Sequence, residues 1–205
     1  MLFRSGIVQP LPPNHHTKLL FVTLFSWYFY YKSSGFFFVL LIWATFLDYN
    51  LAHWIANTDR PTPRRIALFI SIVSNLGLLF YFKYTNFFID CLHSTGLNIA
   101  PIQGIILPVG ISFYTFQSIS YIVDVYGKKL KPVENILEYA FFVSFFPQLV
   151  AGPIVRAYDF IPQINKPTRL TKEEFGRAVF LLIAGLFKKV IIADYIALNF
   201  VDRIF

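Results

Sequence analysis

The sequence predicts an all-α fold, namely a polytopic membrane helical bundle with broken or re-entrant helices. Hydrophobic residues make up 56% of the 205 residues and aromatic residues 20%. Charged residues make up only 14%, against about 25% in an average soluble domain. A soluble domain of this length has too little core to bury 25 Phe, whereas lipid solvates such side chains. The third observation is that helix-breaking residues interrupt two of the long apolar runs.

The apolar runs mark where helices are expected, because a helix that spans a bilayer needs about 20 mostly apolar residues. The first run ends at a turn, 32–35, and the sixth is short and stops before Lys188. Thr171 and Glu174 have the spacing of a capping box that opens the sixth. The runs are Leu19–Tyr31, Phe36–Ala56, Ile66–Phe82 (extendable to Ile89), Gln103–Tyr126, Ile136–Val155, Phe175–Phe187 and Val190–Phe200.

Proline and glycine break two of these runs. Pro108 and Gly110 interrupt Gln103–Tyr126, and Ile136–Val155 contains further breakers, Pro147, Gly152 and Pro153. Backbone that leaves a helix at membrane depth is tolerated only where protein or a water-filled cavity satisfies it. We therefore expect both runs to line an internal cavity, with ordinary helix kinking as the alternative.

Basic residues concentrate in three of the four expected loops: 57–65, 127–135 and 156–177, but not 83–102. The positive-inside rule places all three on the cytoplasmic side. Only one run, Ile136–Val155, separates the second basic loop from the third, so we expect that this run does not fully cross. The net charge of +7 is spread over these loops and forms no single patch, which argues against a nucleic-acid partner.

Polar residues inside the apolar runs have competing interpretations. Asp48, Asn50 and His53 are either a functional site, the default for ionisable groups at membrane depth, or structural groups that hydrogen-bond neighbouring helices. The small residues Ser71, Ser74 and Gly77 indicate close helix packing. Asp124 precedes Lys128 by four residues, which predicts a helical ion pair or a site role.

Readable catalytic motifs are missing from the sequence. Cys91 is the only cysteine, so an intrachain disulfide and a CxxC metal or redox site are excluded. The four histidines stand near no second base or nucleophile in a recognisable pattern, and no zinc, phosphate-loop or nucleophile-elbow motif is present. We expect no metal and no bound cofactor.

Two long motifs carry a family resemblance. The first runs from Leu107 through Gly110, Gln117 and Asp124 to Tyr126 (LPVGISFYTFQSISYIVDVY), and the second is 145–156 (FFPQLVAGPIVR). Together they resemble the membrane-bound O-acyltransferases, in the branch of the alginate O-acetyltransferase membrane subunit. Weaker matches are Asp48-Tyr49, the stretch 75–84 and Gly185-Leu186-Phe187-Lys188-Lys189.

The resemblance implies short helices around a tunnel and transfer of an acyl group, typically acetyl, from a thioester such as acetyl-CoA to a polysaccharide hydroxyl. It also implies a multi-pass protein of the bacterial inner membrane, a lipid environment, extracytoplasmic acetyltransferase partners and a role in alginate biosynthesis or a similar polysaccharide modification. The tunnel-lining or positioning candidates are Ser112, Tyr114, Gln117, Tyr121, Asp124, Gln148 and Arg156. Arg156 would meet donor phosphates or lipid headgroups.

The family's catalytic histidine follows a Trp in a Trp-His pair downstream of the Lys188-Lys189 stretch. This sequence has no Trp-His pair, so no catalytic residue is assigned, and the histidine is expected beyond Phe205. We expect a polar leader at 1–18, non-native or flexible, an incomplete membrane domain at 19–205, and no turnover by this chain alone. The alternatives are a non-catalytic fragment and a transporter or flippase component, since broken helices and buried polar groups are also typical of transporters.

Overall fold

The computed structural model describes residues 15–94, 102, 104–152, 154–164, 171–197 and 199. Within these residues the chain is helical and contains no strand. The chain divides into two compact units, Met1–Lys166 and Pro167–Phe205. The helices of the first unit are α1 (His15–Ser34), α2 (Phe38–Asn57), α3 (Pro61–Leu79), α4 (Thr85–Ser94), α5 (Ile111–Tyr126), α6 (Ile136–Ser144), α7 (Phe146–Ala151) and α8 (Ala157–Ile164).

The core of the first unit is a bundle in which α2, α3 and α5 pack on one another and α6 packs against α1 and α2. Gly35, with φ +59°, opens a single 3-10 turn that reverses the chain between α1 and α2. The reversal brings His16 of α1 and Tyr49 of α2 to the same pocket. Two helical runs, His16–Asn57 and Pro61–Ser94, contain windows long and apolar enough to cross a membrane.

Local sequence explains where several helices begin. Pro61 occupies the first turn of α3, where its missing N–H leaves no hydrogen bond unmade. Asn135 caps α6 by accepting from the Leu137 N–H at 2.9 Å. The left-handed conformation of Gly110, φ +74°, opens α5, so within 104–126, the described part of the predicted run, the helix begins at Ile111.

The expected break in Ile136–Val155 is confirmed. Helix α6 ends at Ser144, and α7 begins at Phe146, with Pro147 in its first turn. Proline is tolerated in the first turn but not in a helix interior. The Phe146 N–H at the break donates to the Ser26 hydroxyl of α1 at 3.4 Å.

Three expected loops were too long. Only Thr58–Arg60 separates α2 from α3. The helical run after α3 continues by way of a π-helical turn through Lys83 to Ser94. Helix α8 lies inside the predicted loop 156–177. The four described residues of the expected polar leader, 15–18, are also helical. These segments are amphipathic or flanked by charge, so apolar-run counting rejects them. Helix α8 nevertheless packs on α5 and α6.

The second unit contains α9 (Lys172–Phe187), a π-helical turn and α10 (Asp194–Ile196). The predicted capping box is confirmed, because the Thr171 hydroxyl accepts from the Glu174 N–H while the Glu174 carboxylate accepts from the Thr171 N–H. The helical run does not stop at Lys188 as expected. It continues through the π-helical turn, where Lys189 pairs with Asp194.

Candidate functional site

A buried carboxylate joins two helices in the bundle core. Asp48 of α2 is fully buried and accepts from the Ser71 hydroxyl at 2.5 Å and from the Asn75 amide at 2.9 and 3.1 Å, both on α3. The hydrogen bonds to a neighbouring helix that the structural interpretation of Asp48 expects are therefore present. A second buried hydrogen bond joins two other helices, since Tyr139 of α6 donates to the Ser118 hydroxyl of α5 at 3.3 Å.

Asn50 and His53, the other polar residues of this region, make hydrogen bonds within their own helix. Asn50 donates to the Phe46 carbonyl, and the His53 Nδ1 lies 2.9 Å from the Tyr49 carbonyl, so neither reaches a neighbouring helix through these bonds.

The expected close packing at Gly77 is wrong, because no atom lies within 4 Å of a Cβ built there. A spacing of six residues turns a helix by about 120° short of two full turns, so Gly77 leaves the face that Ser71 buries.

Four of the seven candidate residues of the two motifs lie in the buried interior of the unit. Gln117 of α5 donates to the Gln148 side chain of α7 at 2.8 Å, so the structure joins the two motifs directly. Tyr121 accepts from the Val133 N–H at 3.0 Å, and Tyr114 is fully buried. The Tyr114 hydroxyl and the Gln117 side-chain oxygen find no partner within the described residues. Ser112 is half-buried.

The two charged candidates lie apart from this interior, at the end of the unit where α5 stops. Asp124 and Arg156 line a pocket of about 540 Å³ together with Lys129, Tyr158 and Asp159. The predicted ion pair between Asp124 and Lys128 is wrong, because α5 ends at Tyr126 and Lys128 adopts φ +57°. The Asp124 carbonyl instead accepts from the Lys129 and Leu130 N–H groups.

The predicted basic loops meet at this end of the unit. Arg64 of the first loop donates to the Tyr126 carbonyl at 2.7 Å and stacks 5.1 Å from the Tyr126 ring centroid. Lys129 of the second loop and Arg156 at the start of the third share the pocket. Both flanks of Ile136–Val155 therefore lie at the same end of the unit, as the count of basic residues predicts.

Sequence reasoning missed the partners of these groups. Asn75 completes the hydrogen bonds of Asp48, and Ser118 and Tyr139 form a separate buried pair. Lys129 and Asp159 complete the charged pocket. Ser118 lies inside the first motif, and its position next to Gln117 was the one available signal. The others become visible only when α3 and α6 are placed beside α2 and α5.

Comparison with known proteins identifies relatives along most of the chain. "Peptidoglycan O-acetyltransferase" of Helicobacter pylori is 32% identical over 222 aligned positions, which cover 96% of this chain and 42% of that protein. "Probable alginate O-acetylase AlgI" of Pseudomonas aeruginosa is 42% identical over 134 residues, 63% of this chain and 26% of that protein. The protein of the same name in Azotobacter vinelandii is also 42% identical over 134 residues.

The chain belongs to the membrane-bound O-acyltransferase family. Its two motifs are joined by the Gln117–Gln148 hydrogen bond, so the two stretches that carry the family resemblance are in contact in the structure. The chain spans about a quarter to two fifths of the length of these relatives. No protein-family model matches the chain. No solved structure matches it either.

Proposed function

We propose that the whole protein is a polytopic enzyme of the bacterial inner membrane that O-acetylates an exported polysaccharide, with a thioester such as acetyl-CoA as the donor. The observation that carries this proposal is the likeness, over nearly the whole chain, to a protein named a peptidoglycan O-acetyltransferase, together with the alginate O-acetylases. In the reaction a polysaccharide hydroxyl oxygen bonds to the thioester carbonyl carbon, the C–S bond breaks, and the hydroxyl proton ends on the thiol.

The arrangement of polar groups supports this direction of transfer. The charged pocket around Arg156 and Lys129 lies at the basic end of the unit, the end that the positive-inside rule assigns to the cytoplasm. Guanidinium and ammonium groups there suit the phosphates of a CoA thioester. We infer that in the whole protein the acyl group passes the buried amides of Gln117 and Gln148 and the hydroxyl of Tyr114 on its way to the opposite end, where the polysaccharide and extracytoplasmic partner proteins are met.

A genetic test addresses the proposed reaction. Cells that lack the gene should export polysaccharide with fewer O-acetyl esters, measured by NMR of the purified polymer, and the wild-type gene should restore them. Membranes that contain the whole protein should release CoA thiol from acetyl-CoA only when the polysaccharide is present. Unchanged ester content in the deletion strain would contradict the proposal.

Arg156 gives a sharper test of the donor site. Removing a charge-assisted phosphate contact should raise the KM for acetyl-CoA in Arg156→Ala by about tenfold to 100-fold, since such bonds are worth about 1.5–3 kcal/mol. The matched control is Arg60→Ala, whose side chain is exposed and lines none of the described pockets. An equal KM in both variants would assign Arg156 to lipid headgroups instead.

A further inference from the structure

A second pocket lies at the basic end of the first unit, between the end of α2, the start of α3 and the chain that connects α5 to α6. Its volume is about 290 Å³, and it shares no described lining residue with the pocket around Arg156. The charged side chains that line it are Asp59, Arg64, Lys128 and Lys131. No step of the proposed acetyl transfer uses this pocket, so its charges need another role.

Positive charge in this lining is not compensated. Three cationic side chains line the pocket with one carboxylate, and within the part of the chain that the structure describes none of the three cations lies in an ion pair. Between the charges the wall is apolar and includes the buried residues Ile55 and Val125. Apolar walls lower the effective dielectric constant, so this cavity attracts an anion more strongly than the same charges would in water.

Arg64 is already held in place at the pocket. Its guanidinium donates to the Tyr126 carbonyl at 2.7 Å and lies 5.1 Å from the centroid of the Tyr126 ring. This hydrogen bond uses one of the five N–H donors of a guanidinium, and the Arg64 Nε has no acceptor among the described residues. A group fixed in this way loses little conformational entropy when it binds a ligand, and its remaining donors suit the oxygens of a phosphate.

Lys128 occupies a backbone position that favours glycine. Its N–H donates to the Val125 carbonyl at 3.0 Å, and the Lys129 N–H donates to the Asp124 carbonyl at 2.9 Å. This is the Schellman pattern that ends many helices, and the left-handed residue in it is usually glycine. Lys128 adopts this conformation, with φ +57°, although a Cβ makes it unfavourable. Backbone strain of this kind is concentrated at functional sites, and here the lysine adds its charge to the pocket.

We propose that this pocket binds a phosphate group at the surface of the membrane, with Arg64, Lys128 and Lys131 as the cations that hold it. The pocket lies where the helical runs His16–Asn57 and Pro61–Ser94 are joined. Both runs contain windows long and apolar enough to cross a membrane, so their connection lies at the level of the lipid headgroups.

Two sources offer such a phosphate. Basic pockets between membrane helices on the cytoplasmic side bind anionic lipid headgroups, so the phosphodiester of an anionic phospholipid is the expected source. A soluble phosphate ester such as CoA carries the same chemical group. Either ligand would be opposed by the Asp59 carboxylate, which repels a phosphate and limits its affinity. This binding does not depend on acetyl transfer.

Binding is measured on the whole protein purified in detergent. Phosphatidylglycerol is added at increasing mole fraction, and native mass spectrometry reads the lipid-bound fraction. Lys131→Gln should raise the apparent Kd about fivefold, since a lysine near an anionic surface contributes about that factor, and Asp59→Asn should lower it by a similar factor. The matched control Arg65→Gln removes the same charge from an exposed residue of α3 that is absent from the described lining. Its Kd should stay within about twofold of wild type, because exposed charges are screened.

Lys128→Gly separates a role in binding from a role in folding. Glycine relieves the left-handed strain, so the unfolding temperature should rise. The loss of the charge should nevertheless raise the Kd for phosphatidylglycerol about fivefold. A lysine retained for stability would give the opposite result, namely a lower unfolding temperature with unchanged binding, and that result would overturn the role of Lys128.

A second arm identifies the source of the phosphate by titrating CoA into the lipid-free protein in a calorimeter. Phosphatidylglycerol binding that weakens in Lys131→Gln and Lys128→Gly assigns the pocket to a lipid headgroup, and CoA binding that weakens in the same variants assigns it to a soluble ester. The proposal is overturned if the binding of neither probe responds to these variants. It is also overturned if Arg65→Gln raises the Kd as much as they do, because net charge alone would then explain the binding.

Discussion

Gln117 and Gln148 illustrate how one buried amide depends on another. Gln117 is 1% and Gln148 9% exposed, and the hydrogen bond between them at 2.8 Å joins side chains of the two motifs. Losing one partner leaves a donor or acceptor of the other unpaired in a dry interior. That desolvation accounts for most of the energetic importance of such a pair.

The amide pair gives a prediction at the residue scale. Gln117→Leu and Gln148→Leu should each lower the free energy of unfolding by about 1–3 kcal/mol, and the double variant should lower it by less than the sum. A double-mutant cycle measured by denaturant unfolding in detergent checks this coupling. Gln163→Ala, at an exposed position, is the control and should change little. Strict additivity of the two variants would contradict the prediction.

The sequence could locate individual polar groups but not their partners. It placed Asp48 at membrane depth with either a structural or a functional role, and the structure supplies Ser71 and Asn75 as partners. It paired Asp124 with Lys128, where the chain leaves the helix instead. Hydrogen bonds between helices depend on their relative rotation, which apolar periodicity in one sequence does not determine.

At the scale of elements, the break before α5 depends on Gly110. Its φ of +74° is unfavourable for a residue with a side chain, and a Cβ there would lie 2.5 Å from the Leu149 side chain and 2.7 Å from the Leu149 carbonyl oxygen. The break thus allows α5 to begin directly against α7. Proline and glycine signals predicted this boundary, because they act through local backbone sterics.

Two matched substitutions test this explanation of the break. Gly110→Ala should destabilise the protein by at least about 1–2 kcal/mol, since the left-handed conformation alone costs this much and the clash with Leu149 adds to it. Gly77→Ala lies in a helix interior with open space around it and should stabilise by about 0.5–1 kcal/mol. Thermal unfolding of both variants measures the difference, and a loss of the same size in both would refute the explanation.

The start of α9 is sensitive to pH through its capping box. Hydrogen bonds from the Thr171 backbone N–H and hydroxyl hold the pKa of Glu174 below its usual range. A lowered pKa in the folded state means that the cap stabilises α9 fully above the unfolded-state pKa, about 4.3, and that this stabilisation is lost as pH falls through the folded pKa. Amide exchange at 173–176, corrected for intrinsic rates, should therefore show fraying below about pH 4. Glu174→Gln should show no such pH dependence.

The elements that the sequence missed share a physical cause. Helices α4 and α8 are short, and their apolar residues alternate with polar ones such as Asp90 and Asp159. Counting apolar runs detects helices surrounded by apolar contacts and rejects those with one polar face. The breaks and caps were predicted because each depends on a few neighbouring residues.

At the scale of the whole molecule, the first unit has one strongly basic end. Arg64, Lys128, Lys129, Lys131 and Arg156 line its pockets there. The positive-inside rule assigns such an end to the cytoplasm, and the route of Ile136–Val155 out from this end and back to it indicates a re-entrant element. Both statements concern the orientation of the unit relative to a membrane, so their test needs the protein in a membrane.

Cysteine accessibility tests the orientation of the unit. In a Cys91→Ser background, Lys129→Cys and Arg156→Cys should react with an impermeant maleimide only after the cytoplasmic face of the membrane is exposed. Val109→Cys, which lies beside Ser34 at the opposite end, should react from the outside. Labelling of positions 129 and 156 from opposite faces would show that Ile136–Val155 crosses the membrane completely.

The tight reversal at Gly35 has a consequence for biosynthesis. Only three residues separate α1 from α2, so the connection contains almost no polar backbone that must cross the bilayer. The charged side chain next to it, Lys32, lies over the Tyr28 ring. Two helices joined so closely can enter the membrane together as a preformed hairpin, with their carbonyl and amide groups already hydrogen-bonded. Lengthening this turn with charged residues should therefore impair the insertion of α1 and α2 into the membrane during synthesis, before any step of folding or acetyl transfer.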